Sequence, residues 1–354
     1  MIKYIGSKRV LVPTIAAAFS PLPRGARVLD LFSGTSRVGH ALKAAGLHVT
    51  ANDHNRYAWH LAGALVGADA DRIGPRAEAA LEELRRAPPV DGWFTELYAR
   101  QSRYLHPDNA VRIEGMRQAL DAIAPPATAG PDLALRHVLL TALLLAADRV
   151  DSTVGVQMAW LKQWAGRALR PLDLLLPPLL PGPGAAWCDE AWTAATAFHG
   201  DAAYLDPPYN QHSYLGNYHL WETLVRWDRP EVYGVACKRV DVKVRRSPFN
   251  SRPGLLPALA RTLEALDVPV LVLSFSDEGV VERQALEELL APRGHVEVLE
   301  RAHPRYVGAR IGIYNDKGDR VGVPGHLHNT ERLYIVAPQA GQAAAMRAAA
   351  AAVP

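Results

Sequence analysis

Short apolar runs alternate along the chain with segments that have helical spacing. Residues 26–32 form the first apolar run, and residues 37–45 follow with the periodicity of a helix. A second apolar run covers 47–51, and a later one at 202–205 stops abruptly at Asp206. Strands that alternate with helices in this way predict an α/β sheet.

The carboxyl-terminal third continues with strand-like runs. Residues 268–275 are nearly all apolar, as expected of a central strand that is covered on both faces. The runs 295–301 and 332–337 are predicted to pair as an antiparallel hairpin around a loop at 304–330. The Ala-rich end at 341–352 is helix-prone, but its sequence shows no distinct face to bury and indicates no function.

The middle of the chain has helical character and lacks strand-like runs for a long stretch after the second strand. We therefore predict that residues 1–63 and 184–340 form two parts of one sheet domain, that 64–183 is a helical insertion, and that 341–354 is a tail. Six aromatic, amide and basic side chains of the insertion suit a groove for nucleic acid. They are Trp160, Lys162, Gln163, Trp164, Arg167 and Arg170. Amphipathic helices with surface arginines and buried tryptophans would explain them equally well.

Composition narrows the class of protein only slightly. The chain has 354 residues, of which 49% are hydrophobic and 21% charged, as in a soluble globular protein with one large or two ordinary domains. Its net charge of +3 is small, so any basic surface for nucleic acid has to be local. Cys188 and Cys237 lack the spacing of metal ligands or of a disulfide framework, which fits a reducing cytosol.

Targeting and membrane signals are not visible in the sequence. Residues 1–8 are too short and too polar for a signal peptide, and the longest apolar run, 138–147, is too short to span a bilayer. We expect a cytoplasmic protein that has no membrane segment and binds no metal.

The turn after the first strand, at 33–36, carries candidate chemistry. Gly34 lets a ligand approach the backbone, but the turn lacks the G-x-G-x-x-G of dinucleotide sites and the G-K-[S/T] of phosphate loops. Asp53 lies 23 residues after Asp30, at the end of the second strand, where an acid typically binds ribose hydroxyls. This combination suits a nucleoside without a pyrophosphate, such as S-adenosylmethionine. An ordinary turn with a solvated Asp53 is the alternative.

A second candidate site follows the strand at 202–205, in the sequence Asp206-Pro207-Pro208-Tyr209. The two prolines cannot continue a sheet, so the corner is rigid. An exocyclic amino group is a poor nucleophile until two acceptors on its hydrogens free the nitrogen lone pair. Asp206 and the Pro207 carbonyl can supply these acceptors, and Tyr209 offers a face for stacking, worth roughly 1–3 kcal/mol. A turn that simply ends a strand is the alternative.

Two further segments are basic. Residues 237–252 hold six cations against one acid, Asp241, and could either contact phosphates or form a solvated loop. The six are Lys238, Arg239, Lys243, Arg245, Arg246 and Arg252. At the N-terminus, Tyr4 and Lys8 either face a cofactor or belong to a basic cap.

These motifs occur in an order that resembles a known family, the N6-adenine DNA methyltransferases of the DNA adenine methylase (Dam-like) class. The resemblance covers the predicted sheet domain from end to end, but not the helical insertion. The matching stretches are Lys3-Tyr4-Ile5-Gly6-Ser7-Lys8, Asp30-Leu31-Phe32-Ser33-Gly34, Asn52-Asp53, Asp189, Asp206-Pro207-Pro208-Tyr209, Leu273-Ser274-Phe275-Ser276-Asp277-Glu278 and Glu331-Arg332-Leu333-Tyr334-Ile335.

The resemblance implies roles for the matching residues. Those it assigns to the S-adenosylmethionine pocket are Tyr4, Lys8, Asp30, Phe32, Ser33, Gly34, Asp53 and Asp189. Asp53 would bind the ribose of the cofactor and Asp189 its adenine amino group. Asp206 and the Pro207 carbonyl would hold the target N6, and Tyr209 would stack on the target base.

The resemblance also implies a fold and a function. The fold is a Rossmann-like S-adenosylmethionine-dependent methyltransferase sheet with an inserted, mostly helical target-recognition lobe. The function is site-specific N6 methylation of an adenine flipped out of double-stranded DNA, with a cognate restriction or defence protein as a potential partner. An RNA adenine methyltransferase and a non-catalytic recognition subunit are the alternatives. Two departures stand out: Ser36 replaces a second glycine in the cofactor turn, and the insertion lacks the recognition stretch of GATC methylases, so the target sequence does not transfer.

Overall fold

The computed structural model describes residues 2–6, 8–158, 160–209, 211, 213–304, 313–314, 320–322 and 328–354. The strands are β1 Arg27–Asp30, β2 His48–Asn52, β3 Gly184–Trp187, β4 Ala202–Leu205, β5 Val232–Tyr233, β6 Lys238–Arg239, β7 Val270–Ser276, β8 His295–Pro304, β9 Ile313–Tyr314, β10 Arg320–Gly322 and β11 His328–Ala337. Most of the loop predicted at 304–330 lies outside the described residues.

The helices surround the sheet on both faces and fill the middle of the chain. They are α1 Val12–Ala18, α2 Arg37–Ala44, α3 Arg56–Ala62, α4 Ala70–Arg85, α5 Trp93–Thr95, α6 Pro107–Ile123, α7 Gly130–Arg149, α8 Ala191–Ala197, α9 Tyr214–Asn217, α10 His219–Arg226, α11 Leu255–Ala265, α12 Arg283–Leu290 and α13 Ala340–Ala351. Wider π-helical turns extend α3 over Gly63–Gly67 and α5 over Glu96–Gln101. Single 3-10 turns occupy Lys8–Val10, Val240–Lys243, Pro248–Asn250 and Ala291–Arg293.

Seven strands form one mixed sheet in the order β3-β2-β1-β4-β7-β11-β8. The first five are parallel, and β11 runs antiparallel to both β7 and β8. The direction of winding reverses at β1, because β2 lies on one side of it and β4 on the other. A reversal of this kind opens a crevice at the carboxyl ends of the strands, where ligands bind in open α/β sheets. The predicted α/β class and the antiparallel pairing of the last two long strands are confirmed.

Apolar side chains pack on both faces of this sheet. Every residue of β4 and β7 is buried, as the unbroken apolar sequences of central strands require. The Ala-rich end differs from the expectation, because α13 does bury a face. Ala343, Met346 and Ala350 lie in the core beside the first helix of the chain. Their spacing forms an apolar stripe along one side of α13, so this helix packs with the sheet.

Helices α3 to α7 occupy most of the chain between β2 and β3, and its last part, residues 150–183, has neither helix nor strand among the described residues. The 20-residue α7 is long and apolar enough to cross a membrane by length and composition alone, with a mean hydropathy of 1.3. Because 72% of its apolar window is buried inside the protein, α7 has the environment of a core helix. The core around α7 also includes Tyr218 and Trp221, which follow the Asp206 corner in the chain. The helical lobe is therefore packed directly onto the segment that leaves the corner.

Candidate active site

One cavity lies at the carboxyl edge of the sheet and gathers most of the predicted site residues. Its lining includes all eight residues predicted for the cofactor pocket, which are Tyr4, Lys8, Asp30, Phe32, Ser33, Gly34, Asp53 and Asp189. Asp206 and Pro208 line the same cavity. The donor pocket and the acceptor corner predicted from separate motifs thus share one space.

The turn between β1 and α2 is held by the acid at the end of β2. Asp53 Oδ2 accepts a hydrogen bond of 3.0 Å from the Gly34 backbone N–H, and Oδ1 accepts one of 2.9 Å from the Asn55 N–H. Gly34 has a φ of +50°, and a Cβ at this position would lie 3.2 Å from the Tyr4 ring. Only glycine fits this close approach without strain. The bonds to Asp53 therefore order the turn before any ligand arrives.

Ser36 shows how the turn accommodates the missing second glycine. This serine has a φ of 57° and ψ of 24°, which is the left-handed region that glycine adopts without penalty. Its side chain is fully buried, and its hydroxyl has no partner among the described residues. The turn keeps the glycine-like backbone and carries both backbone strain and an unsatisfied hydroxyl.

Replacing Ser36 with glycine is expected to raise the free energy of unfolding by about 1 kcal/mol, because it relieves both penalties. Urea unfolding of wild type and Ser36→Gly measures the change. Ser20→Gly is a suitable control, because Ser20 is exposed and has no positive φ, so glycine there should lower stability slightly. Equal destabilisation by both substitutions would contradict the strain at Ser36.

Asn52 is a site residue to which the sequence analysis gave no role, although the stretch Asn52-Asp53 matched the family. Its buried Nδ2 donates hydrogen bonds to the backbone carbonyl oxygens of Leu31 and Asp189. Its Oδ1 accepts a hydrogen bond of 3.0 Å from the Asp189 N–H. It thereby ties the ends of β1, β2 and β3 together and fixes the backbone of Asp189. An uncharged amide at the end of a buried strand was the available signal.

Asp30 occupies the floor of the cavity. Its Oδ2 accepts 2.9 Å from the Gly39 N–H in α2, and it is almost completely buried. Burial raises the pKa of Asp30 to about 7, although the Gly39 bond opposes the shift. Asp30 therefore fixes the start of α2 while it lines the cavity.

The polar groups of the cavity suit S-adenosylmethionine. Ser33 Oγ and Asn55 Oδ1 are buried at its wall and have no hydrogen-bond partner within the described part of the chain. Five carboxylates line the space, namely those of Asp30, Asp53, Asp189, Glu190 and Asp206. An acidic cavity with unsatisfied polar atoms fits a nucleoside that carries an ammonium and a sulfonium group.

The Asp206 corner follows β4 directly and is tightly packed. The Tyr209 ring lies against the Phe275 ring, with centroids 5.7 Å apart. The backbone carbonyl of Tyr209 accepts a hydrogen bond of 3.2 Å from the Val280 N–H. Lys8 Nζ lies 5.5 Å from the Tyr209 ring centroid and 3.0 Å from Asp206 Oδ1. The corner is thus held by β7 and by the N-terminal segment.

A stack of tyrosines fixes Tyr4 at the cavity wall. The Tyr4 ring lies between Tyr214 and Tyr218, with centroid distances of 5.1 and 4.5 Å and nearly parallel planes. The Tyr218 hydroxyl also accepts 2.6 Å from the Ile5 N–H. Tyr214 and Tyr218 are visible in the sequence as aromatic residues that follow the Asp206 corner. Only the fold shows that these two tyrosines support the N-terminal segment.

The basic segment is only partly available for phosphates. Arg239 retains 2% exposure and is bonded to Asp228 at 2.7 Å and to Asp241 at 3.0 Å. The prediction that Arg239 contacts phosphate is therefore wrong, because its guanidinium is buried and neutralised inside the protein. Arg245 bonds to buried Glu222 at 3.1 Å and lines the cavity. Lys238 is half-buried, and the exposed cations are Lys243, Arg246 and Arg252.

Removing the exposed cations is expected to weaken DNA binding. The double variant Lys243→Ala/Arg246→Ala should lower the slope of log affinity against log salt by about one for each lost phosphate contact. Fluorescence anisotropy across a salt series measures this slope. Arg239→Met is the contrasting variant: it should leave the slope unchanged and lower the free energy of unfolding by about 1–3 kcal/mol, because Asp228 and Asp241 lose their hydrogen-bond donor. An unchanged slope in the double variant would identify a solvated loop.

The aromatic and basic residues predicted to form a groove in the helical lobe do not all face outward. Trp160 packs edge-on against Tyr104, and Trp164 lies under Arg103 at 4.5 Å. Arg167 is bonded to Asp151 at 2.8 Å. Lys162, Gln163 and Arg170 are exposed. The exposed members remain candidates for contact with nucleic acid.

Comparisons with known proteins find relatives of this chain among DNA methyltransferases. The type II methyltransferase M.NlaIII of Neisseria lactamica is 26% identical over 313 residues, which cover 86% of this chain and 90% of that protein. The modification methylase LlaI of Lactococcus lactis subsp. lactis is 26% identical over 324 residues, 86% of this chain, but the chain spans about half (51%) of that methylase. A solved S-adenosylmethionine-dependent methyltransferase from Agrobacterium tumefaciens aligns with 95% of this chain and 64% of its own, at 13% identity and a TM-score of 0.35.

A family model also matches most of the chain. It describes the D12 class N6 adenine-specific DNA methyltransferases and matches residues 4–265, from the N-terminal segment through α11. The match includes the turn after β1, Asp53, Asp189 and the Asp206 corner. The chain therefore belongs to the D12 class of N6 adenine-specific DNA methyltransferases.

Proposed function

We propose that this protein methylates N6 of an adenine in double-stranded DNA at the Asp206-Pro207-Pro208-Tyr209 corner. The observation that carries the proposal is the shared cavity, in which the predicted donor residues and Asp206 line one space. Membership of an N6 adenine-specific family agrees with an amino group as the acceptor.

S-adenosylmethionine supplies the reaction with a methyl group activated on a sulfonium. We assign its ribose to Asp53, whose position is fixed by Gly34 and Asn55. Asp189, fixed by Asn52, is assigned to the adenine of the cofactor. Tyr4 and the residues around Gly34 would close the methionine end of the pocket.

The corner prepares the target nitrogen. Asp206 and the Pro207 carbonyl accept hydrogen bonds from the two N6 hydrogens, which frees the nitrogen lone pair for attack on the methyl carbon. As the bond from N6 to the methyl carbon forms, the bond from that carbon to the donor sulfur breaks, and the sulfur leaves as a neutral thioether. N6 then releases one proton, which the Asp206 carboxylate accepts before passing it to water. Tyr209 stacks on the flipped base, and this contact helps to offset the few kcal/mol that flipping costs. Fixed positions of these groups supply most of the acceleration.

Recognition and biological context extend the proposal. We assign target recognition to the helical lobe at 64–183 and phosphate contact to the exposed cations after β6. Because relatives are named modification methylases, we propose that the protein acts in the cytoplasm and marks DNA for protection from a cognate restriction or defence nuclease. The side chains of the lobe that would read the target sequence differ from the recognition stretch of GATC methylases.

Methyl transfer to matched nucleic acids tests the proposal. Purified protein and labelled S-adenosylmethionine are incubated with duplex DNA and with RNA of the same sequence, and the nucleosides are separated by mass spectrometry. We expect N6-methyldeoxyadenosine from the DNA alone. Labelled RNA alone would favour the RNA methyltransferase, and failure to bind the cofactor in calorimetry would favour a recognition subunit.

A further inference from the structure

Three charged side chains meet at the acceptor corner from distant parts of the chain. Lys8 Nζ lies 3.0 Å from Asp206 Oδ1 and 3.3 Å from Glu331 Oε2. The side chains of Lys8 and Glu331 retain 6% and 4% exposure, and that of Asp206 19%. A cation enclosed by two carboxylates in this way differs from a surface ion pair, because each charge depends on the others to offset its desolvation.

Glu331 is the best-anchored member of this cluster. It belongs to β11, where it lies opposite Ser276 of β7 on one side and Arg301 of β8 on the other. A strand that is paired on both sides cannot shift without losing hydrogen bonds along its length. The Glu331 carboxylate is therefore a fixed support for the ammonium of Lys8.

We propose that Lys8 and Glu331 are positioning residues for Asp206: Glu331 holds Lys8 Nζ, and Lys8 holds Asp206 Oδ1, so that Oδ2 faces the target amino group. The inference rests on the proposed role of Asp206 as the acceptor for N6. It gives Lys8 a task at the target-base end of the cavity and adds Glu331, a residue of the last long strand, to the machinery of the reaction.

The charges at the corner support this assignment. Burial raises the pKa of Asp206 to about 6, while Lys8 lowers it and Glu331 raises it. Burial lowers the pKa of Lys8, but Asp206 and Glu331 outweigh burial and hold that pKa well above its usual range. Without Lys8, no cation would offset burial and the charge of Glu331, so the pKa of Asp206 would rise further. The other titratable groups that act on Asp206 or feel its charge are Asp30, Tyr204, Tyr209 and Tyr214.

The sign of the expected pH dependence follows from these directions. A protonated Asp206 offers no charged acceptor, so methyl transfer should fall as the pH drops through its pKa. Removing Lys8 raises that pKa and moves the acidic limb of the rate profile to higher pH. Removing the charge of Glu331 lowers the pKa and moves the limb to lower pH.

The experiment compares Lys8→Met and Glu331→Gln with a matched control, Lys43→Met. Lys43 is equally buried, but its Nζ donates to the carbonyl oxygens of Val66 and Ala68. Single-turnover methyl transfer is measured against pH, and the carboxyl ionisation of Asp206 is followed separately by infrared difference spectroscopy, with Asp206→Asn assigning the band. We expect Lys8→Met to move both readouts up by about one pH unit or more. Glu331→Gln should move the acidic limb of the rate profile and the titration of Asp206 to lower pH. Lys43→Met should leave both unchanged.

The outcomes separate this inference from the proposed function. An Asp206 titration that is unchanged in Lys8→Met, together with weaker cofactor binding, would overturn the inference and make Lys8 a cofactor ligand. If Lys8→Met does not fold, the nearly isosteric Glu331→Gln tests the inference alone. An unchanged titration of Asp206 in Glu331→Gln would then overturn the inference. Full methyl transfer by Asp206→Asn would instead refute the proposed function, while the infrared titrations of the variants would still decide whether the cluster exists.

Discussion

Asp206→Asn is expected to reduce single-turnover methyl transfer by about 100- to 1000-fold, which is the loss seen when one polar group that stabilises a transition state is removed. Asparagine keeps the shape of the side chain, but it removes the negative charge that accepts an N6 hydrogen and then a proton. The buried ammonium of Lys8 would also lose its counter-charge at 3.0 Å. Binding of S-adenosylmethionine should change little, because Asp53 and Asp189 hold the other end of the cavity.

The measurement is the rate of label transfer to DNA at saturating cofactor, with calorimetry of cofactor binding beside it. Asp201→Asn is a matched control at the opposite end of the same strand, where Asp201 Oδ2 accepts 2.7 Å from the Arg27 N–H. That variant should transfer methyl groups at the wild-type rate. Equal rates for Asp206→Asn and wild type would contradict the assignment of the acceptor corner.

Asp53→Ala is expected to weaken cofactor binding by about 10- to 150-fold, the equivalent of losing roughly 1.5–3 kcal/mol from hydrogen bonds to a charged group. The alanine would remove the proposed ribose ligand. It would also remove the hydrogen bonds that the Gly34 and Asn55 N–H groups donate to the Asp53 carboxylate, so the turn would lose its order. Both effects act on the cofactor pocket and leave Asp206 in place.

Isothermal titration with S-adenosylmethionine measures this loss. Saturating cofactor should restore much of the methyl-transfer rate in Asp53→Ala, whereas it should not rescue Asp206→Asn. Asp69→Ala is a suitable control, since Asp69 caps the start of α4 and lies outside the cavity lining. An unchanged dissociation constant for S-adenosylmethionine in Asp53→Ala would contradict the assignment of Asp53 as a cofactor ligand.

Local sequence was sufficient for the parts of the site that lie at strand ends. Gly34, Asp53 and Asp206 each follow a short apolar run, and the parallel arrangement of β1, β2 and β4 brings their ends to one edge. A turn residue after a buried strand is a signal that a single stretch of sequence contains. The shared cavity then follows from the topology that the alternation of strands and helices predicts.

Contacts between distant segments were not predictable in the same way. Glu331 meets Lys8 across 323 positions of sequence, and no local pattern specifies that pair. Arg239 was counted with its basic neighbours because composition records charge and not burial, whereas the fold turns it toward Asp228 and Asp241.

The Ala-rich end illustrates a different limit of sequence patterns. Helix α13 is apolar around most of its circumference, so no face stands out by contrast with a polar one. Its buried stripe becomes visible only when α1 and β8 are in place against it. The buried face is therefore chosen by the neighbours of α13 rather than by a hydrophobic contrast within its own sequence.

The structure of a ternary complex with cognate duplex DNA and a non-reactive analogue of S-adenosylmethionine tests the central claim most directly. We predict that the target adenine is flipped into the cavity, with N6 at hydrogen-bond distance, roughly 2.7–3.2 Å, from both the Asp206 carboxylate and the Pro207 carbonyl oxygen. A base held elsewhere, or a flipped base whose N6 contacts neither oxygen, would contradict the claim that this corner activates the amino group.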